Sequence, residues 1–288
     1  MIDEVRNRMA RDGVTLAYRA VRPEGARRAL VLLHGAASNH TRWWDFIGRT
    51  RLARDWILIA PDLRGHAGSV YRGRVDMRRW GEDLEAILDA EGIARAVVGG
   101  HCLGANLALW FARQAPRRTA GLVLIEPMFR TALRGRLALA ARLRPLLVPL
   151  AAAARALARA GLYRRRLEPL DLERLDRAAR ATAAAGGRFP VERYGDLFQD
   201  LRTTPAATYV QDLLEVTGPL PDLRLIAVPA LALVSSGRAV SDPGLTEHLL
   251  SALLLCEIVR IDAHHWIPAE KPDAMREAID RWCESLAR

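Results

Sequence analysis

Gly100-His101-Cys102-Leu103-Gly104 lies between the apolar run Ala96-Val97-Val98 and the helix-like stretch Ala105-Asn106-Leu107-Ala108-Leu109-Trp110-Phe111-Ala112. A buried strand that turns sharply into a helix thrusts the residue at the turn out from the strand's C-terminal end, in a strained backbone. Small flanking residues are needed because no side chain fits beside such a turn. The central residue here is a cysteine, so the stretch reads as a nucleophile elbow carrying a thiol.

The rest of the chain supplies the sheet into which that elbow fits. Asp12-Gly13 divides two short alternating segments and predicts an opening hairpin. Continuous apolar runs of the kind fully buried parallel strands show follow at Ala29–Leu33, Ile57–Ala60, Ala96–Val98, Leu122–Ile125, Ala230–Val234 and Glu257–Ile261. Helix-periodic stretches separate them at Met77–Glu91, Asn106–Gln114 and Leu245–Leu255, and Asp273–Leu286 closes the chain. Strands alternating with helices imply a mostly parallel sheet with helices on both faces. The rhythm breaks between Pro127 and about Leu223, where Ala/Leu/Arg-rich helical sequence carries no convincing strand. That interval is too long for an ordinary connection and is expected to be an inserted helical cap, residues 127–223, with the core formed by 1–126 and 224–288.

Composition sets outer limits. The 288 residues are half hydrophobic, enough for a large buried core. Cys102, Cys256 and Cys283 are odd in number and widely spaced, which suits a reducing compartment better than a disulfide framework. No apolar leader follows Met1, and the longest apolar tract, Pro145–Ala154, is bracketed by Arg144 and Arg155 and too short to span a bilayer. A soluble, cytoplasmic protein is expected. The net charge of +10 is almost all arginine, since Lys271 is the only lysine. A solvated basic surface explains it without nucleic acid. From Pro127 to Leu167, ten arginines stand without one acidic residue. Solvated helix faces account for this, and a membrane surface, an acidic carrier domain or an anionic substrate group are the sharper readings.

Four blocks, Leu32-Leu33-His34-Gly35, Ala60 to Ser69, the Gly100 to Gly104 elbow and Ala263 to Pro272, resemble in sequence and order the signature blocks of the α/β-hydrolase superfamily. The resemblance implies an α/β-hydrolase fold, an α/β class with a mostly parallel eight-stranded sheet flanked by helices. Cysteine in the elbow is similar to dienelactone hydrolases and polyhydroxyalkanoate synthases.

The chemistry can be built on the elbow itself. A thiolate is the reactive form of cysteine, so a base must take the proton of Cys102 or a cation must stabilise the anion. The helix beginning at Leu103 offers its positive N-terminal end. In the resembling family the base follows the last strand in a pattern G-H-x-x-x-x-E-x-P. Here His265 has Glu270 five residues on and Pro272 seven on, and His264 occupies the usual glycine position. His265 is the expected base, with His264 the alternative. The resemblance places an acid after the penultimate strand, but counting from Pro229 or back from Pro243 puts Arg238 there. Asp242 stands before Pro243, as a helix N-cap does. Glu126 ends a buried strand, a position that carries the acid in enzymes similar to haloalkane dehalogenases. A carboxylate there is costly without a partner, so Glu126 is the expected acid and Asp242 the alternative.

By resemblance, the oxyanion donors are the N–H groups of Ala36 and Leu103. Trp43, Trp44, Met128 and Phe129 follow strand ends that open onto the site, where an apolar acyl pocket and plain packing explain them equally well. The spacing of histidines suits no zinc site, and side chains alone supply the expected chemistry, so no metal or cofactor is implied. The expectation is a hydrolase of an ester, lactone or thioester working through an acyl-Cys102 intermediate on a small-molecule substrate. The alternatives are an acyltransferase or thioesterase acting on a carrier-bound chain, and a noncatalytic binding protein that keeps the pocket. Oligomeric state is open.

Overall fold

The computed structural model describes residues 2–286. Among these residues eight strands form one sheet: β1 Ile2–Met9, β2 Thr15–Arg22, β3 Arg28–Leu33, β4 Trp56–Pro61, β5 Ala96–His101, β6 Thr119–Ile125, β7 Ala230–Ser235 and β8 Cys256–Ile261. Their order is β1-β2-β4-β3-β5-β6-β7-β8. β1 pairs with β2, and β2 with β4, antiparallel, while every pairing from β4 through β3 to β8 is parallel. β4, β5 and β7 are buried along their whole length, which is why each reads as an unbroken apolar run. β1 is an exposed edge whose Asp3, Glu4, Arg6 and Arg8 discourage a further strand from pairing with it.

Two apolar layers cover the sheet. Trp80, Leu84 and Ile87 of the helix Met77–Ala90 and Leu107 and Phe111 of the helix Leu103–Gln114 pack on one face. Phe46 and Ile47 of the helix Trp44–Arg49 and Met275, Ile279 and Trp282 of the helix Pro272–Ser285 pack on the other. The helix expected over Leu245–Leu255 runs only from Pro243 to Leu250, because Ser251 to Leu255 turn the chain back toward β8.

Between β6 and β7 the described residues form helices at Gly135–Arg142, Arg144–Arg159, Leu172–Ala184, Leu197–Thr203 and Ala206–Val216, and only one isolated bridge, Leu133 to Ser241. This segment is joined to the sheet side by buried polar contacts. Arg42 pairs with Asp176, which also accepts from the Tyr194 hydroxyl at 2.8 Å.

The parallel strands all point their C-terminal ends at one edge, so the residues just past β3, β5, β6, β7 and β8 converge there. At the end of β5 the chain turns through Cys102, at φ 54° and ψ −112°, and enters the helix Leu103–Gln114 at once. Its two flanking glycines are steric necessities. A Cβ on Gly100 would lie 2.4 Å from the Gly104 carbonyl carbon, and one on Gly104 would lie 2.3 Å from the Leu33 carbonyl oxygen. Both obstacles are backbone, which has no rotamer by which to move aside.

Gly104→Ala is therefore expected to lower unfolding free energy by more than ~2 kcal/mol, as overpacking of a rigid site does. Gly48→Ala, at an exposed position of the helix Trp44–Arg49 with nothing near its would-be Cβ, should be neutral or stabilising by up to ~1 kcal/mol. Urea melts of the two variants compare them directly, and equal losses would contradict the steric account of the turn.

Candidate active site

Cys102 is buried at the turn, and its backbone N–H donates to Ile125 O at 2.9 Å. Its side chain adjoins the His265 ring and favours that ring's charged form. His265 Nδ1 lies 2.8 Å from Glu126 Oε2. Nucleophile, base and carboxylate thus stand in one line across the ends of β5, β8 and β6.

Glu126 reaches this position through backbone strain of its own. At φ 53° it is one of four non-glycine residues with positive φ among the described residues, which turns the chain out of β6 and swings the carboxylate sideways toward β7. There Oε1 accepts from the Ser235 backbone N–H, and Oε2 lies 3.0 Å from the Ser235 hydroxyl. Ser235, the last residue of β7, is one that sequence reasoning does not single out.

The loop bearing His265 is clamped by Glu270. Its carboxylate accepts from three successive backbone N–H groups, those of His264, His265 and Trp266, the last at 2.9 Å. That is the physical content of a glutamate five residues after the histidine. His264 pairs its own Nδ1 with Glu270 at 2.7 Å and points its largely exposed ring away from the thiol. Gly237 lets this loop approach, since a Cβ there would lie 2.6 Å from His264 Cα.

Burial by itself would lower the His265 pKa, but its hydrogen bonds to Cys102 and Glu126 outweigh burial and push it up to about 10. An imidazolium held this way is the cation a thiolate needs. His101 shows the opposite balance. Burial and the neighbouring His265 hold it well below the ordinary histidine value, so the neutral ring donates from Nε2 to His265 O at 3.1 Å.

His34 is likewise buried, and burial pulls it down to about 3. Its Nδ1–H donates to Gly35 O at 2.7 Å and its Nε2 accepts from Leu63 N–H at 2.9 Å, which fixes the tautomer and the loop after β3. That loop runs beside the thiol, because a Cβ on Gly35 would lie 3.5 Å from Cys102 Cβ. Leu103 begins its helix, so its N–H is one of the four that no helical carbonyl can reach. The Ala36 N–H also has no protein acceptor among the described residues. Next to it, at φ 47°, Ala37 donates its N–H to Asp212 Oδ2 at 3.2 Å. Asp212, fully buried on the helix Ala206–Val216, also holds His66 Nε2 at 2.8 Å. Sequence reasoning misses Asp212 as well, because it lies 175 residues from Ala37 in the chain.

Asp242 is elsewhere. It caps the helix Pro243–Leu250 by accepting from Leu245 N–H at 3.0 Å and pairs with Arg134. Met128 and Phe129 belong to the same apolar cluster as Cys102, and Met128 is fixed by Asn106, whose Oδ1 accepts its N–H at 2.8 Å. Trp43 and Trp44 are not brought to the thiol. The short helix His40–Trp43 carries Trp43 into the apolar layer with Phe46 and Ile47, and Trp44 packs against His40 and beneath Arg19. No cluster of metal-ligating side chains occurs among the described residues.

A family model described as alpha/beta hydrolase fold matches residues 28–272. An uncharacterized protein of Mycobacterium tuberculosis is 34% identical over 110 residues, 38% of this chain and 31% of that one. Lipase LipV of the same organism is 34% identical over 108 residues, 36% of this chain and 39% of that one. The matched segment thus spans well under half the length of these relatives. Among solved structures, a thermophilic esterase from Thermogutta terrifontis superposes with a TM-score of 0.70 over 99% of both chains at 23% identity, a likeness of fold.

In Glu126→Gln the His265 ring should lose a charged partner and titrate well below about 10, whereas Asp242→Asn should leave that titration unchanged. Because the pKa is raised, the imidazolium of the parent protein persists through neutral pH and is lost only as pH climbs toward that value. Ring NMR of the three proteins across alkaline pH checks this, and a shift in Asp242→Asn alone would reverse the assignment of the acid.

Proposed function

The chain belongs to the family of the alpha/beta hydrolase fold, and from that membership we propose that it is a hydrolase cleaving an ester, lactone or thioester through an acyl-Cys102 intermediate. The observation that carries the proposal is the contact line from Cys102 through His265 to Glu126 at the converging strand ends. Similarity to a lipase over part of the chain supports the hydrolytic reading. Residues 127–223 act as a cap over a core of 1–126 and 224–288.

In this mechanism His265 holds the proton as the imidazolium beside Cys102, and the sulfur attacks the substrate carbonyl carbon as the thiolate. Glu126, fixed by Ser235, holds Nδ1–H and stabilises the ring while it is charged. The negative charge that grows on the carbonyl oxygen is met by the N–H groups of Ala36 and Leu103, where loss of one such donor typically costs ~10²–10³ in turnover. Collapse of this tetrahedral adduct breaks the bond to the leaving group, which receives the proton from His265, and leaves a thioester on Cys102. Water then gives its proton to His265 and attacks the thioester, releasing the acid and restoring the thiolate beside the imidazolium. An acceptor other than water would use the same second step. Met128 and Phe129, in the same apolar cluster as Cys102, supply apolar surface for the acyl group.

Turnover of small aryl esters and acyl thioesters tests the proposal. Cys102→Ala and His265→Ala should each lose at least ~10³ in kcat/KM, since members of a cooperating unit fail together. Cys256→Ala and Cys283→Ala should keep the parent rate. Iodoacetamide should inactivate the parent protein in step with alkylation of Cys102. Full activity in Cys102→Ala would defeat the mechanism.

A further inference from the structure

The helix Arg144–Arg159 has an inner side that is explained and an outer side that is not. Inward it packs on the helix Ala206–Val216: Ala151 is buried, Arg155 reaches Gln211 Oε1 at 3.1 Å, and Arg144 donates to Leu214 O. Outward, Leu146 is 65% exposed, and Leu150 and Leu157 on the same face are exposed with it. From Pro145 to Ala158 the only charged residue is Arg155, and that one is turned inward. Some four turns of solvent-facing helix therefore carry no charge, the reverse of what a surface helix of a water-soluble domain shows. The apolar surface continues through exposed Leu139 and Leu143 on one side and Leu162 on the other.

Arginines rim this surface. Arg142 and Arg159 stand at its two ends and Arg165 and Arg166 just beyond, all exposed and without an ion-pair partner among the described residues. The nearest acidic residue along the chain in either direction is Glu126, buried in the site, or Glu168. No single helix among the described residues is long and apolar enough to cross a membrane, and Gly135–Arg142 and Arg144–Arg159 meet at 82°. Two short helices bent in this way suit a plane, with the apolar side down and the cations at the rim.

We propose that the helices Gly135–Arg142 and Arg144–Arg159 dock this protein on the surface of an anionic lipid bilayer, with Leu146, Leu150 and Leu157 entering the acyl region. Leu162 enters beside them, and Arg142, Arg159, Arg165 and Arg166 meet headgroup phosphates. Charge selects the occupant. A second copy of the chain would set one arginine rim against another, and like-charge juxtaposition opposes that pairing. A bilayer with phosphate headgroups offers apolar depth and negative charge in the same geometry.

Flotation with extruded vesicles tests the docking without reference to catalysis. The parent protein should float with phosphatidylcholine vesicles that contain phosphatidylglycerol, and hardly at all with phosphatidylcholine alone or in high salt. Arg165→Gln/Arg166→Gln should reduce the partition coefficient by roughly thirtyfold, the effect of two basic side chains at a charged surface. Leu146→Glu/Leu150→Glu should reduce it by roughly tenfold or more while leaving circular dichroism and hydrolysis of a water-soluble ester unchanged. Failure of the parent protein to float with anionic vesicles would overturn the proposal. So would unchanged flotation of both variants, or a lipid-free dimer that Leu146→Glu/Leu150→Glu dissolves, which would make the surface a contact between copies.

Discussion

Glu126 carries a carboxylate almost wholly out of solvent at the end of β6, where an unpaired charge would cost several kcal/mol. Much of the site is arranged around meeting that cost. Ser235, at the end of β7, gives the carboxylate a backbone N–H and a hydroxyl, and His265 gives it Nδ1–H. The His265 ring is then fixed in one tautomer with Nε2 left for the thiol, and its charged form is favoured against burial. Positive φ at both Glu126 and Cys102 is the backbone strain that brings the groups together. The sheet bears this strain because β5, β6 and β7 are adjacent, parallel and packed on both faces.

The same economy appears in the supporting residues. His34 and His101 are kept neutral by burial and spend their ring nitrogens on backbone groups of the two loops that flank Cys102. Glu270 binds three consecutive N–H groups of the His265 loop, and Asp212 binds Ala37 beside the proposed oxyanion donor. Asp212 also ties the helix Ala206–Val216 to His66, so the segment between β6 and β7 is mechanically linked to the loop on which the oxyanion would rest. Movement of that segment would be felt at Ala36.

What is legible in the sequence follows from how local its cause is. Parallel strands buried on both faces must be apolar at every position, so β3 to β7 declare themselves as runs. Whereas the obstacle at Gly104 is the distant Leu33 carbonyl, Gly100 declares the turn because its steric obstacle, Gly104, lies four residues on. Glu270 is readable beside His265 for the same reason. Glu126 is legible as a buried strand-end charge that demands a partner, but its partner Ser235 is 109 residues away and has no reason to stand out until β6 and β7 are adjacent. Asp212 is hidden in the same way. Trp43 and Trp44 follow a strand end, which suggests the site edge. The intervening 3₁₀ turn at His40–Trp43 rotates Trp43 into the other layer and leaves Trp44 against His40, and no periodicity reveals that rotation.

The account stands or falls on a covalent bond to one sulfur. Rapid quenching of the protein during turnover of an acyl thioester, followed by intact-mass and peptide measurement, reads that bond directly. The account predicts one acyl mass on the peptide containing Cys102, removed by neutral hydroxylamine as a thioester is. An acyl group carried on any other residue, or none while turnover proceeds with Cys102 unmodified at every quench time, would contradict it.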